Sequence, residues 1–411
     1  MSGIWICYKI RRNMNFFKRF NGKRLIMKLF YVVIFIAFLL CINYLVYETG
    51  YYYTFTSPRE EAFFIKNLST TSLPINNYDM LHVLVLTYPR SGSSFVGKLL
   101  QSPSQAFYHF EPLHYLFDRK RSRTRSSGRS RAYPSKYPTP HEFTHDIFMC
   151  KYRNSFLNWA KNHNSLKILQ RNERYWKSCS DVNGTNLCYN AEYFHNKCRN
   201  FTMQVAKTIR MSVSEAHTML DTYKDLNLKI IHLLRDPRGI MNSRSKPSIA
   251  SWCKTDITCY SSRVFCAKLD SDLMEAERIL QKYPNRYLPL RYEELCCNMY
   301  RETEKIFKFL GFGQVPKETT QFLHSHNLAI MQNNTSLVEE KYLESSYTTV
   351  RDSFKTAFAW RNELKFRNVK FIQRHCEKVM QKTNYAIVTT EGEMKDLNFQ
   401  TILNTTACDR S

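Results

Sequence analysis

Residues 82–98 read HVLVLTYPRSGSSFVGK. The apolar run from Leu81 to Tyr88 predicts a buried strand, and FVGKLLQS beyond the turn resumes at helical spacing. A strand, a small-residue turn and a helix start present unpaired backbone N–H groups and the positive end of the helix dipole to an anion. Arg90 adds a bidentate donor, and Ser91, Ser93 and Ser94 add hydroxyls. The segment from Gly92 to Lys98 also fits GxxxxGK, the front of the nucleoside-triphosphate loop, where the next residue must be Ser or Thr to hold Mg²⁺. Here it is Leu99. The anion cradle is intact and the metal handle is missing, which predicts a phosphate-bearing ligand handled without a metal.

Outward from this turn, strand and helix signals alternate. LKIIHLLRD (228–236) reads as a second buried strand that enters a helix through PRGIMNSRSK. The spacing predicts a helix over 270–283, a short strand leading into a helix over 286–295, and a helix over 300–312 ending near Gly311. Apolar strands separated by helices predict an α/β fold with a central, mainly parallel sheet flanked by helices. The 43% hydrophobic and 14% aromatic content suits a globular body rather than a disordered chain.

The N-terminal region predicts an anchor. Residues 29–47, LFYVVIFIAFLLCINYLVY, carry no charge, and 19 residues at helical rise match a hydrocarbon core of about 30 Å. Residues 1–28 hold Lys9, Arg11, Arg12, Lys18, Arg19, Lys23, Arg24 and Lys28 without an acid, which keeps that end cytoplasmic. A single-pass type II topology follows: tail 1–28, signal-anchor helix 29–47, stem 48–80, lumenal domain 81–390 and C-terminal tail 391–411. Six N-x-[ST] sequons, at Asn67, Asn183, Asn200, Asn333, Asn334 and Asn404, all lie past the span. So do eleven of the thirteen cysteines, which suits an oxidising compartment and disulfides, with one thiol left over.

Of the formal net charge of +25, the first 28 residues supply eight, leaving +17 on the lumenal side. Such a body suits polyanionic partners, acidic glycans or phosphorylated cofactors, and its placement across a membrane argues against nucleic acid. Residues 119–140, RKRSRTRSSGRSRAYPSKYPTP, hold eight basic residues and no acid and read as a basic flexible insertion. A solvated loop explains them; a clamp on an anionic acceptor is the other reading.

The motif TYPRSGSSF resembles the loop by which sulfotransferases bind the 5′-phosphosulfate of 3′-phosphoadenosine 5′-phosphosulfate (PAPS). RSGSSFVG (90–97) is similar to the R-[ST]-G-S-S-F-V-G of Golgi carbohydrate sulfotransferases of the galactose/N-acetylglucosamine/N-acetylgalactosamine 6-O branch. A second family element binds the 3′-phosphate, an Arg at a strand end followed eight residues later by Ser, and LLRDPRGIMNSR supplies Arg235 and Ser243 at that spacing. Smaller matches, FEPLHYL (110–116), VAKTIR (205–210), RYEEL (291–295), QNNT (332–335) and TVRDS…AWR (349–361), extend the resemblance over about 81–390. TYP before Arg90 departs from the 6-O branch toward the cytosolic form.

The resemblance implies PAPS as donor, no metal, a Golgi membrane location, and a glycan or glycosaminoglycan acceptor sulfated on a sugar hydroxyl at carbon 6. A homodimer through the stem is compatible with it. The cofactor-binding residues it implies are Pro89, Arg90, Ser91, Gly92, Ser93, Ser94 and Phe95 in the first element. In the second they are Arg235, Asp236, Pro237, Arg238, Gly239, Ile240, Met241, Asn242 and Ser243. Arg90 would stabilise charge developing in the transfer. Glu111, matching a family Glu-Pro, is the first choice for the base that takes the acceptor's proton, with a structural ion pair as the competing reading and His109 and His114 as fallbacks. Arg291 reads as a structural partner of Glu293 or Glu294. Two other functions fit parts of the chain. HEFTH (141–145) matches the HExxH of zinc metalloproteases, with Pro140 able to start the helix. A non-catalytic binder of anionic glycans explains charge and anchor, but not the paired phosphate elements.

Overall fold

The computed structural model describes residues 80–118, 138–163, 166–183, 185–326 and 353–404. The expected anchor at 29–47, the stem and most of the basic insertion lie outside the described residues. Among the described residues no helix is long and apolar enough to cross a membrane.

Five strands form one sheet: β1 (Leu81–Leu86), β2 (Ala106–Phe110), β3 (Met203–Thr208), β4 (Asn227–Leu234) and β5 (Tyr287–Arg291). Their order is β2-β3-β1-β4-β5 and every pairing is parallel. The strands are buried and mostly apolar because helices cover both faces, so there is no solvent face to call for regular polar alternation. Two hydrophobic clusters result. Val83 and Val85 of β1 belong to the one that includes Ile231 and Leu233, and Leu84 and Leu86 to the one that includes Phe107 and Ile230. The chain moves from β1 out to β2, returns to β3 beside β1, then crosses to β4 on the other side. That reversal makes the C-terminal end of β1 a topological switch point, where open α/β sheets bind ligands.

Helices that bear on this edge are α1 (Ser93–Gln101), α2 (Pro140–Phe148), α3 (Val213–Thr222), α4 (Pro237–Ser245), α5 (Pro247–Cys253), α6 (Ile257–Tyr260), α7 (Ser262–Lys282) and α8 (Phe366–Lys382). The helix expected over 270–283 starts earlier, at Ser262, because Ser261 accepts the Val264 N–H as an N-cap. The helix expected to stop near Gly311 does so, with Gly311 at φ 94°. Past residue 390 the chain still packs on the domain. Met394 is buried, Arg361 donates to the carbonyls of Met394, Asp396 and Phe399, and Tyr385 pairs with Ile402.

Disulfides join Cys150 to Cys198, Cys179 to Cys188, Cys253 to Cys259 and Cys266 to Cys376. The last ties α7 to α8 across 110 residues of sequence. Cys297 is also disulfide-bonded, while Cys296 keeps its thiol beside Tyr292. Asn200 and Asn404 are exposed, as glycan acceptors must be.

Candidate active site

The turn after β1 does what its residue types require. Arg90 adopts φ 75° and Gly92 φ 84°, the left-handed region in which a side chain costs energy. Gly92 is the N-cap of α1 and also lies against Tyr292, whose ring a Cβ at position 92 would strike. The strain at Arg90 is held by its neighbours: Arg235 Nη1 donates to the Arg90 carbonyl at 2.7 Å, and Arg244 Nε to the Pro89 carbonyl at 3.2 Å. The Arg90 Nε donates to Ser243 Oγ at 3.0 Å. This bond and the one from Arg235 to the Arg90 carbonyl join the two phosphate-type elements, 153 and 145 residues apart in sequence.

The triphosphate-loop likeness ends at the second glycine. Gly97 is a packing glycine: a Cβ there would meet the Tyr108 hydroxyl of β2. Lys98 turns to Glu173 at 3.1 Å rather than to the loop. The departure at TYP has a structural reason as well. Tyr88 is buried, donates to Asp272 Oδ2 at 2.9 Å and meets His232 Nε2 at 3.1 Å, which anchors the loop's base to α7 and β4.

Of the second element, Arg235 and Ser243 face this loop, and the residues between them mostly face inward. Arg238 is fully buried, bonded to Asp236, Gln373 and the Ala386 carbonyl and stacked 4.2 Å from Trp360. Asp236 caps α4 and pairs with Arg238. Pro237 and Ile240 are buried, Met241 packs on the core, and Asn242 donates to Glu363. Gly239 leaves room for Arg235 Nε, 3.1 Å from where its Cβ would lie. In the first element Ser93 is buried in the first turn of α1, Ser94 is half-buried beside it, and Phe95 packs on Phe322. Two buried donors here have no hydrogen-bond partner among the described residues: Ser91 Oγ and Arg235 Nε, the latter 4.0 Å from the Glu293 carboxylate. Orphaned donors beside a helix N-terminus are what a bound oxyanion would satisfy.

Glu111 follows β2, in the left-handed region at φ 46°. Its carboxylate is buried, with Oε1 2.8 Å from Lys207 Nζ and Oε2 2.8 Å from Arg210 Nη1. Burial alone would raise its pKa, but Lys207 and Arg210 outweigh that and hold it below the usual carboxylate value. Burial in turn pushes the Lys207 ammonium down against the pull of Glu111. Lys207 and Arg210 are the site residues that residue-type reasoning missed; VAKTIR carried them, without a reason to single out either cation. His109 is an internal residue, bonded to Gln204 at 2.8 Å and to Tyr152. Burial lowers His114 to about 4, with Arg210 adding to the effect. Arg291 is the structural partner of Glu294, at 2.6 Å, and also donates to the Thr383 carbonyl.

The HEFTH residues have other work. Thr139 and Glu142 form a capping box at the start of α2, His141 bonds Glu215 of α3 at 2.7 Å, and His145 stacks on Tyr223 with ring centres 4.0 Å apart. Among the described residues no group of three or more His, Cys, Asp or Glu side chains is placed to hold a metal.

Comparison with known proteins agrees with the geometry. The family model for a sulfotransferase domain matches residues 81–384. Rat carbohydrate sulfotransferase 1 is 30% identical over 353 residues, covering 77% of this chain and 82% of that protein. The chain belongs to the carbohydrate sulfotransferases. Mouse carbohydrate sulfotransferase 5 is 26% identical over 83% of this chain and 89% of its own. Among solved structures, the sulfotransferase domain from the curacin biosynthetic pathway matches 77% of this chain and 100% of its own, at 16% identity and a TM-score of 0.42. As a sulfotransferase, the protein is an enzyme that moves a sulfuryl group to a sugar. The α/β sheet flanked by helices is the framework that its sequence motifs predict.

Proposed function

We propose that this carbohydrate sulfotransferase transfers the sulfuryl group of PAPS to the 6-hydroxyl of galactose, N-acetylglucosamine or N-acetylgalactosamine in a glycan or glycosaminoglycan. The observation that carries it is the Arg90–Ser243 hydrogen bond, which makes one cradle of two elements that resemble the 5′-phosphosulfate and 3′-phosphate loops. Pro89 to Phe95, with Ser91 Oγ and the α1 N-terminus, would hold the phosphosulfate end. Arg235 and Ser243 would hold the 3′-phosphate. Bound there, PAPS supplies an activated sulfuryl group on a phosphate leaving group. Arg90 and the loop N–H groups stabilise the charge that develops as the sulfur–phosphate oxygen bond breaks and the sulfur–sugar oxygen bond forms.

Glu111 is the proposed base. It is a carboxylate at neutral pH, the form that accepts the hydroxyl proton, and Lys207 and Arg210 hold it in place. The uncharged span 29–47 behind eight cations, with the disulfides of the domain, supports a type II protein of the Golgi membrane with a stem at 48–80.

The test is incubation of the full chain with sulfur-labelled PAPS and a panel of keratan, chondroitin and N-acetylglucosamine-terminated acceptors, with EDTA in parallel. Label on the acceptor, unaffected by EDTA and located at carbon 6 by product analysis, is the expected result. Absence of both transfer and PAPS binding would overturn the proposal.

A further inference from the structure

Beside the donor cradle lies a buried acid that the transfer chemistry leaves unused. Glu293 sits on the short helix Tyr292–Cys297 behind β5 and is 1% exposed. Its Oε1 accepts the Asp236 N–H at 3.0 Å and stands 4.0 Å from Arg235 Nε. Its Oε2 accepts the Tyr385 hydroxyl at 2.6 Å. Arg235 is fixed by its other atoms: Nη1 donates to the Arg90 carbonyl, Nη2 to the Thr356 carbonyl, and the guanidinium carbon lies 4.6 Å from the centre of the Tyr292 ring. Its Nε has no hydrogen-bond partner among the described residues. Acid and cation are thus within reach of each other's charge but too far apart to share a hydrogen bond.

The other charged groups about Glu293 are matched elsewhere. Asp236 pairs with Arg238 at 2.8 Å, and Arg291 with Glu294 at 2.6 Å. On the helix Met299–Leu310, Glu302 pairs with Arg301 and Lys305. The helix Ser353–Phe358 brings only Lys355, which is exposed. On its own helix the Cys296 thiol bonds Tyr292, and burial pushes the Tyr292 and Tyr385 phenols up. Burial and the Asp236 charge push Glu293 up to about 7, against the pull of Arg235 and the hydrogen bonds from Tyr385 and the Asp236 N–H. A proton fits on Oε2, where the Tyr385 hydroxyl can turn from donor to acceptor.

Arg235 is one of the residues read above as holding the 3′-phosphate of PAPS, and the inference rests on that reading. A charged Glu293 steadies the buried guanidinium while the site is empty. When a phosphate reaches Arg235, two like charges compete for one cation, and protonation of the carboxyl relieves the conflict. We propose that Glu293 is a positioning residue for the donor: it shares Arg235 with the 3′-phosphate and takes up a proton from solvent as that phosphate binds, leaving the Arg235 charge to the ligand.

The experiment is calorimetric titration of the full chain with 3′-phosphoadenosine 5′-phosphate (PAP) between about pH 6.5 and about pH 8.5, a range that brackets the acid's change of charge. Glu293→Gln, a permanently neutral side chain of the same shape, is expected to match wild type at the acid end. At the alkaline end it binds PAP about five- to tenfold more tightly, the effect of moving one acid by about one pK unit. The ionisation of PAP itself is common to both proteins and cancels in the comparison. Titrations in buffers of different ionisation enthalpy show proton uptake in wild type that Glu293→Gln lacks. Tyr385→Phe removes a hydrogen bond to the charged acid, so it moves the wild-type transition to higher pH and carries the test if Glu293→Gln does not fold. Adenosine 5′-phosphate, without the 3′-phosphate, shows no difference between wild type and Glu293→Gln.

A Glu293→Gln loss of PAP affinity that is equal at every pH makes the residue structural only and overturns the proposal. So does a transition left unmoved in Tyr385→Phe, or a Glu293 effect that is the same for adenosine 5′-phosphate. Any of these, with PAP still bound, leaves the transfer reading standing. Absence of PAP binding at every pH sinks that reading and the role of Glu293 together.

Discussion

The two halves of the sheet's C-terminal edge handle charge in opposite ways. Behind β1 and β4, Arg235 and Arg244 spend their donors on main-chain carbonyls of the phosphate-type loop and its surroundings, at Arg90, Thr356, Pro89, Thr258 and Cys259. Burial lowers Arg244 to about 9, with Asp256 pulling it up and Arg90 pushing it down. Behind β2 and β3 the cations Lys207 and Arg210 close on a carboxylate instead. The first arrangement fixes the shape of a backbone cradle and leaves buried donors for an incoming anion. The second keeps a carboxylate charged and in place. Each half also carries one non-glycine residue in the left-handed region, Arg90 in one and Glu111 in the other. They are two of six such residues among those described, and both are positions proposed to act in the transfer.

Breaking the β2–β3 half is expected to have the largest effect. Glu111→Gln leaves Lys207 and Arg210 without their counter-charge and should cost about 3–5 kcal/mol of stability, read by denaturant unfolding, along with turnover. Adding Lys207→Met should recover part of the stability and none of the activity. If activity returned with stability, Glu111 would be an ion-pair partner only. The pH dependence of the same variant sharpens the point. Because the folded pKa of Glu111 is lowered from 4.5, its stabilisation is present above that value and is lost as pH falls through the folded pKa. The stability gap between wild type and Glu111→Gln should therefore narrow on acidification.

In the β1–β4 half, Arg90→Ala should leave the fold in place and lower kcat by about 10²–10³, the usual loss for one preorganised donor to a developing oxyanion. An unchanged kcat at saturating PAPS would remove Arg90 from the chemistry. Next in size is Gly97→Ala, which should lower stability by about 1–3 kcal/mol through overpacking on Tyr108, with PAP affinity retained in the folded fraction. A loss of affinity without a loss of stability would make Gly97 part of the loop. Smallest is Ser243→Ala, expected to weaken PAP binding about tenfold, the low end for a hydrogen bond to a charged group, by calorimetry.

Local sequence made β1, the turn and α1 legible because each depends on neighbours within a few residues: an apolar run, a small-residue turn with a glycine at positive φ, then helical spacing. The same held for β4 and for the helix that ends at Gly311. Strands β2 and β3 were not read as strands, since Gln204 and Lys207 interrupt the apolar pattern of β3. They are tolerated there because Gln204 bonds His109 and the Cys198 carbonyl, and Lys207 bonds Glu111. HEFTH illustrates the converse case. Its spacing suggested a metal site, but the helix start uses Thr139 and Glu142 as a cap, a pairing that a three-position motif cannot express.

The sequence by itself determined the strand–turn–helix elements, the anion-binding character of the turn, the missing Mg²⁺ ligand and the expectation of disulfides. These follow from residue types acting over short range. Only the tertiary structure decided which cysteines pair, that Gly97 packs rather than binds, and that Arg90 meets Ser243. It also decided that Glu111 is held by Lys207 and Arg210. The Arg90–Ser243, Glu111–Lys207 and Glu111–Arg210 contacts join residues about a hundred or more positions apart, brought together because a parallel sheet sets all its C-terminal strand ends along one edge.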